Sequence, residues 1–518
     1  MPAVCFYFQV HQPFRLKEQP LAMSHHYFDD EKNKQILRKV ANKCYLPTNQ
    51  ALLELIEKHE GRFRCSFSIS GVALEQMEKW GQDVLESFQK LARTGCVEFI
   101  AETYYHSLSA IFSEKEFRKQ VANQVKLVKK YFGQTPTAFR NTELIYQDFV
   151  GQLASKMGFE AVIAEGPDDI LQWRSPNFVY QVPETSTKLL LKNYKLSDDI
   201  AFRFSNRGWA DWPLTTEKYV NWLRPNWKAH TINLFMDYET FGEHQWAETG
   251  IFDFLRALPG KVLEMEGWSF KTPTEVAREN EPVADMHFPR LTSWADAERD
   301  LTAWRGNQMQ ERALKEVYEL AQMMEDVEDE DTIHVWRKLQ TSDHFYYMCT
   351  KWFADGDVHA YFSPYANPYE AFIHYMEALD HFKRKRLPAI MAAPSAMTHD
   401  QAQAEMRFEV QVRARSHTEH AVEEAMQAAK FAKPRTRKLS SGKKARKPHE
   451  GATKAAAAAA AKKTKKKASK KKTTAKRQTR AAKYRAAKAM TAKAKAALAA
   501  KLAAQKEQDE HGPDAANP

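Results

Sequence analysis

Short apolar runs alternate with helical patterns through the first 270 residues, and this alternation constrains the fold more than any other feature of the chain. Seven runs are candidate strands, at residues 4–10, 64–69, 97–101, 137–140, 161–164, 188–193 and 231–236. Helical patterns stand between most of them, for example at 34–59, 74–93 and 114–132. Such alternation predicts an α/β fold whose parallel strands are joined by right-handed crossovers. Seven units would suit an incomplete (β/α)7 barrel, although the count alone does not exclude an open sheet.

The pattern after this region is helical. Examples are residues 295–324 and 370–386, with an acidic break at 326–331 between them. We therefore expect four parts: a catalytic barrel at 1–285, a helical subdomain at 286–400 that closes over the barrel mouth, a helical connector at 401–432, and a basic tail at 433–518.

The net charge of +11 is the sum of an acidic body and a basic C-terminal segment. Residues 430–518 contain 28 Lys and Arg against 5 Asp and Glu, whereas the residues before them contain 49 against 61. The tail has almost no large apolar side chain to bury, so we expect it to be disordered. Its Lys/Ala-rich composition resembles the C-terminal tails of linker histones. It predicts binding to nucleic acid or another polyanion, with self-association against the acidic body, or a purely solubilising role, as alternatives.

Composition excludes some classes of protein. With 43% hydrophobic and 12% aromatic residues, the chain has enough material for a packed core. No run approaches 18 apolar residues, so we expect no membrane-spanning helix. The first residues enter an apolar strand without the features of a secretory signal. The cysteines are odd in number and never spaced C-x-x-C, which indicates reduced thiols in a cytoplasmic protein; they are Cys5, Cys44, Cys65, Cys96 and Cys349.

Polar and ionisable residues gather just past the predicted strands. His11 follows the first run, the segment 102–106 follows the third, Glu143 follows the fourth, and Asp237 and Glu239 follow the seventh. Parallel barrels build their active sites at this end of the strands. Glu143 and Asp237 would supply the two carboxyl groups that cleavage of a glycosidic bond requires.

Five segments carry a family resemblance: HQPFR, VEFIAETYYHSL, AFRNTELIYQD, LFMDYETFGEHQW and LQTSDHFYYM. They resemble the five sequence regions of glycoside hydrolase family 57, occur in the family's order and span residues 11–348. The match is closest to the α-amylase-like branch and poorer to the glycogen branching enzymes, whose first motif differs. The resemblance implies an incomplete (β/α)7 barrel followed by an α-helical bundle, α-1,4-glucan or maltooligosaccharide substrates, and no catalytic metal or other cofactor.

The resemblance also implies roles for individual residues. Glu143 would be the nucleophile and Asp237 the general acid/base of a retaining reaction, with carboxyl groups about 5–5.5 Å apart. The pKa of Asp237 would have to be raised, and the charge of Glu239 or Glu143 could raise it. Six further residues are expected to bind substrate or to tune the pair: His11, Glu98, Glu239, His244, Trp246 and Asp343.

Three alternatives stay open from the sequence. A metal-dependent hydrolase could use His11, Asp237, Glu239 and His244 as ligands, although no pair of histidines has the helical spacing of a zinc motif. The barrel could also be a non-catalytic glucan-binding module tethered by the tail. Within the enzymes, a 4-α-glucanotransferase would use the same two carboxylates as a hydrolase.

Overall fold

The computed structural model describes residues 2–17, 26–353 and 363–386. The expected connector at 401–432 and basic tail at 433–518 lie outside these residues. Each of the seven predicted strands is observed, together with two shorter ones. The strands are β1 (Ala3–Val10), β2 (Cys65–Ile69), β3 (Val97–Phe99), β4 (Ala138–Arg140), β5 (Ala161–Ala164), β6 (Tyr180–Gln181), β7 (Lys188–Leu191), β8 (Thr231–Asp237) and β9 (Ser269–Phe270).

The strands pair as two sheets. One has the order β3-β2-β1-β8, with β9 also paired to β1, and every pairing in it is parallel. The other has the order β4-β5-β7-β6, in which only the short β6 is antiparallel. A parallel bridge between Ala101 and Phe139 links β3 to β4, and the Asn193 amide donates to the Asn233 carbonyl between β7 and β8. The predicted parallel arrangement is confirmed, with two sheets linked at both margins.

Helices connect the strands and continue after them. They are α1 (Asp30–Val40), α2 (Leu46–Lys58), α3 (Gly71–Trp80), α4 (Gln82–Arg93), α5 (Ser109–Phe112), α6 (Glu114–Phe132), α7 (Asp148–Lys156), α8 (Asp168–Leu171), α9 (Tyr194–Ala201), α10 (Thr216–Leu223), α11 (Ile251–Leu263), α12 (Pro273–Glu279), α13 (Thr302–Arg305), α14 (Gln308–Tyr318), α15 (Glu330–Lys338), α16 (Ser342–Tyr346) and α17 (Pro368–Arg386). The π-helical segment Ala41–Tyr45 joins α1 to α2. None of the helices in the described segments is long and apolar enough to cross a membrane.

Two helical predictions were wrong in detail. The pattern at 74–93 is two helices, because the backbone of Gly81 leaves the helical region between α3 and α4. The pattern at 295–324 becomes helical only at Thr302, where the Asp300 carboxylate accepts from the Thr302 amide. The residues before Thr302 run beside the end of β4 instead, and Thr292 forms an antiparallel bridge with Tyr146.

The residues of β1 alternate between two cores, as the period of a strand requires. Val4, Phe6 and Phe8 pack with the surrounding helices. Cys5 and Tyr7 point the other way, into a cluster that also contains residues of β4, β5, β7 and β8. This inner cluster therefore joins both sheets, and the polar side chains at the carboxyl ends of the strands lie beyond it.

Candidate active site

Glu143 lies in the 3-10 turn Thr142–Leu144 that follows β4. Its φ of 57° is in the left-handed region, which costs a residue with a Cβ about 1–3 kcal/mol. The turn is held by Trp294, whose amide donates to the Glu143 carbonyl at 3.2 Å and whose indole Nε1 donates to Glu143 Oε2 at 2.7 Å. Glu143 Oε1 lies 2.9 Å from His106 Nε2. Both carboxylate oxygens of Glu143 are therefore fixed by ring N–H groups.

His106 lies between two carboxylates. Its Nδ1 is 3.0 Å from Glu102 Oε2, and its Nε2 contacts Glu143. Burial alone would lower the pKa of His106, but the hydrogen bonds and charges of Glu102 and Glu143 outweigh burial and raise it to about 9. At neutral pH the imidazole is therefore a cation that donates to both carboxylates.

The carboxylate of Glu143 is kept ionised by this environment. Burial favours its neutral form, but the hydrogen bond and charge of His106 oppose burial most strongly. The buried Arg140 guanidinium and the Trp294 N–H add to that effect, so the pKa of Glu143 falls below its ordinary value. An ionised carboxylate held by two donors is suited to act as a nucleophile.

Asp237 is the last residue of β8, where it pairs in register with Gln9 of β1. Burial raises the pKa of Asp237 most, and the negative charge of Glu143 raises it further, to about 6. Of the two charges that the sequence offers as the cause, that of Glu143 raises this pKa, and burial exceeds it. A group that holds a proton close to neutral pH is suited to general acid catalysis.

Glu239 follows Asp237 by two residues and is buried. Its Oε1 accepts a hydrogen bond from the Tyr45 hydroxyl and another from Gln12 Nε2 at 3.4 Å. Burial, followed by the charge of Asp237, raises the pKa of Glu239 to about 8. Glu239 is therefore a mainly protonated neighbour of Asp237 at neutral pH. The π-helical segment Ala41–Tyr45 supplies its tyrosine partner.

His11 connects the strand ends to the helical part of the chain. Its Nε2 lies 2.8 Å from Asp343 Oδ2 on α16, and its Nδ1 lies 2.7 Å from Ser70 Oγ. The imidazole stacks on that of His106, with 3.9 Å between ring centroids. Near this contact the Ser342 amide donates to the His106 carbonyl at 2.9 Å. Asp343 therefore reaches the site through His11.

Of the other predicted substrate residues, Glu98 and Trp246 are not brought into this cluster, and His244 lies at its edge. Glu98 lies near the start of β3, where its carboxylate accepts from the Thr274 amide and hydroxyl at the first turn of α12. His244 donates its amide to the Glu239 carbonyl, and burial lowers the pKa of its imidazole to about 4. Trp246 is 57% exposed and lines a surface cleft of about 650 Å³. The cleft residues are Asn42, Lys43, Pro47, Gly242, Trp246, Ala247, Glu248, Phe252, Asp253 and Arg256.

Sequence reasoning did not select four residues that complete the cluster: Glu102, His106, Arg140 and Trp294. Glu102 and His106 stand in the polar run after β3, so their position at a strand end was an available signal. Arg140 lies within β4, and Trp294 lies 151 residues after Glu143, just before the segment whose local pattern predicts a helix. Across the described segments, no group of three or more His, Cys, Asp or Glu is arranged to hold a metal ion.

Comparisons with known proteins identify the family of the chain. The model of glycosyl hydrolase family 57 matches residues 5–289. A protein of Methanocaldococcus jannaschii named "Putative alpha-amylase" is 42% identical over 395 residues, which cover 73% of this chain and 84% of that protein.

Solved structures of low identity show the same fold. The branching enzyme of Pyrococcus horikoshii has a TM-score of 0.56 at 15% identity, over 74% of this chain and 89% of that one. The 4-α-glucanotransferase of Thermococcus litoralis has a TM-score of 0.53 at 15% identity, and the match covers 74% of this chain and 60% of that enzyme's. The match of the family model to more than half of the chain, with the M. jannaschii relative, shows that the chain belongs to glycosyl hydrolase family 57.

Proposed function

We propose that this protein is a retaining α-amylase-type hydrolase of α-1,4-glucans, with Glu143 as nucleophile and Asp237 as general acid/base. The observation that carries the proposal is that the pKa values of two neighbouring carboxyl groups are shifted in opposite directions. The pKa of Glu143 is lowered by His106, whereas that of Asp237 is raised to about 6 by burial and by Glu143. Pairs of carboxyl groups whose pKa values are driven apart are typical of glycosidase acid and nucleophile.

The proposed reaction has two steps. Glu143 attacks C1 of a glucosyl unit while Asp237 gives its proton to the departing glycosidic oxygen, which breaks the C–O bond and forms a glycosyl-enzyme. Asp237, now ionised, removes a proton from water as the water attacks C1 and releases Glu143. The N–H groups of His106 and Trp294 orient the nucleophile and leave its charge available for attack.

We further propose that the parallel strands form an incomplete (β/α)7 barrel and that the later helices close over its mouth. The link between Ala101 and Phe139 and the inner cluster shared by both sheets support the barrel. The contact between His11 and Asp343, with the antiparallel bridge between Ser107 and Thr341, supports the closure.

Incubation with maltoheptaose, with products separated by size, tests the proposal. We expect the protein to release shorter maltooligosaccharides, first as the α-anomer, and we expect Glu143→Gln to release none. Glu275→Gln is the matched control, because Glu275 lies in the capping box of α12 and a glutamine there keeps the cap. Full activity of Glu143→Gln would refute the assignment.

A 4-α-glucanotransferase is the second candidate. The solved glucanotransferase of the same fold supports it, since a glucan hydroxyl can replace water at the second step with no change in the two carboxyl groups. Products longer than seven glucose units would favour this candidate. Loss of these products together with the shorter ones in Glu143→Gln would assign both reactions to one site.

We also propose that the basic tail binds nucleic acid or another polyanion, as the 28 Lys and Arg against 5 acidic residues in 430–518 predict. A separate observation concerns the cellular location: the five cysteines of the body are free and buried. Unpaired thiols are typical of a reducing compartment, which supports a cytoplasmic location.

A further inference from the structure

Trp294 is placed by charged neighbours as well as by Glu143. Its ring lies under two cationic groups, the Arg140 guanidinium and the Lys192 ammonium, each 5.4 Å from the ring centroid. Its indole N–H donates to Glu143 Oε2 at 2.7 Å. Attraction between a cation and the face of an indole is strongest when the cation is shielded from water. Arg140 and Lys192 are both buried.

Lys192 is the first residue after β7, and a buried network fixes its ammonium group. Nζ lies 3.1 Å from Asp198 Oδ1 on α9 and 3.6 Å from Glu165 Oε2, directly after β5. Arg299 completes the network, with Nη1 3.0 Å from Glu165 Oε2 and Nη2 3.5 Å from Asp198 Oδ2. Two acids and two bases therefore balance, which is what burial of charge requires.

We propose that Lys192 is a positioning residue for the nucleophile: its ammonium group, held by Glu165 and Asp198, fixes the indole whose N–H binds Glu143. This inference rests on the proposed role of Glu143. Lys192 does not touch the carboxylate and acts through Trp294. A cation over the ring also draws electron density from the indole, which strengthens the N–H as a donor.

The same ammonium group acts on Asp237. The pKa of Asp237 is raised by burial and by Glu143, and it is held down by the charges of Arg140, Lys192 and His106. Loss of the Lys192 charge should therefore raise the pKa of Asp237. Because the acid works when protonated, the alkaline limb of kcat/KM should move to higher pH. Loss of packing alone would not move that limb.

Steady-state kinetics on Lys192→Met and Lys192→Arg test the proposal. For Lys192→Met we expect kcat to fall about tenfold or more, KM to stay within about twofold, and the alkaline limb to shift upward. Lys192→Arg should keep most of kcat and leave the alkaline limb at its wild-type pH, because arginine restores the positive charge. Lys79→Met is the control, since Lys79 lies 4.6 Å over the ring of Trp80 at the surface.

A double-mutant cycle with Trp294→Phe locates the effect. Phenylalanine keeps an aromatic ring but has no N–H for Glu143. If Lys192 acts on kcat through the indole, Lys192→Met should cost kcat much less in the Trp294→Phe background. Full additivity of the two losses in kcat would overturn the proposal, as would a Lys192→Met enzyme with unchanged kcat and pH profile.

An NMR measurement separates failure of this inference from failure of the proposed function. In protein labelled with ¹⁵N-tryptophan, the indole N–H signal of Trp294 is the one of twelve that Trp294→Phe removes. We expect that proton to move upfield in Lys192→Met and to stay in Lys192→Arg and Lys79→Met. An unmoved signal in Lys192→Met refutes the positioning role, whatever substrate is cleaved. A moved signal in a protein that leaves maltoheptaose intact refutes only the function.

Discussion

The imidazole rings of His11 and His106 stack 3.9 Å apart, inclined by 18°, yet the two rings carry different charge. His106 has a pKa of about 9 because carboxylates contact both of its nitrogens. The pKa of His11 is lowered, first by burial and then by the charge of His106. The stack therefore pairs one cation with one neutral ring. It also connects the hydrogen bond between His11 and Asp343 to the one between His106 and Glu143.

Replacement of His106 by glutamine should separate charge from hydrogen bonding. Glutamine can still donate to Glu143, but it removes the cation that keeps the pKa of Glu143 low. We expect kcat/KM to fall about a hundredfold and its acidic limb to move to higher pH, because Glu143 must be ionised to attack. His287→Gln is the matched control, since His287 contacts Asp148 at the surface. An unmoved acidic limb in His106→Gln would contradict the assignment.

Leaving-group chemistry should distinguish the two carboxyl groups. Asp237→Asn removes the proton donor, so we expect cleavage of maltoheptaose to fall about a thousandfold or more. Maltosyl fluoride departs with little protonation, so the same variant should still form the glycosyl-enzyme from it and transfer maltose to added azide. Glu143→Gln should fail with both substrates. Fluoride release by Glu143→Gln at the wild-type rate would exclude Glu143 as nucleophile.

The stability of the fold should decrease as pH rises from about 6 to 9. Glu239 and His106 have folded-state pKa values above their unfolded values, at about 8 and 9. Each contributes stability that is complete below its unfolded pKa and is lost as pH rises through its folded pKa. For His106 the loss is about 3 kcal/mol. Thermal melting from pH 6 to 9 measures this loss, which should be smaller in His106→Gln.

The basic tail should make nucleic-acid binding strongly dependent on salt. We expect the full chain to lose about a thousandfold in affinity for duplex DNA between about 50 and 200 mM salt, with little preference for sequence. A chain that ends at Phe431 should bind weakly throughout. Equal affinity of the two chains would assign any binding to the body and refute a role for the tail.

Local periodicity predicted the strands well, because buried parallel strands are short apolar runs flanked by helices. It also predicted that Glu143 and Asp237 would follow strand ends. It could not predict Trp294, because this residue stands before the helix predicted at 295–324 and only tertiary contacts bring its amide and indole to Glu143. Lys192 was missed for a similar reason: it lies near the end of the strand predicted at 188–193, and its burial depends on partners at Glu165 and Asp198.

The π-helical segment Ala41–Tyr45 limits how this protein can change by insertion and deletion. Tyr45 reaches Glu239 from it, and the Cys44 thiol lies 3.1 Å from the Tyr238 carbonyl. Deleting one residue there would restore a regular helix, but it would turn α2 by about 100° relative to α1. Either one of the two helices would then lose its packing against the core, or Tyr45 would lose its hydrogen bond to Glu239. Insertions and deletions within this family should therefore be rare in the π-helical segment and more frequent in exposed loops, such as the segment after α10.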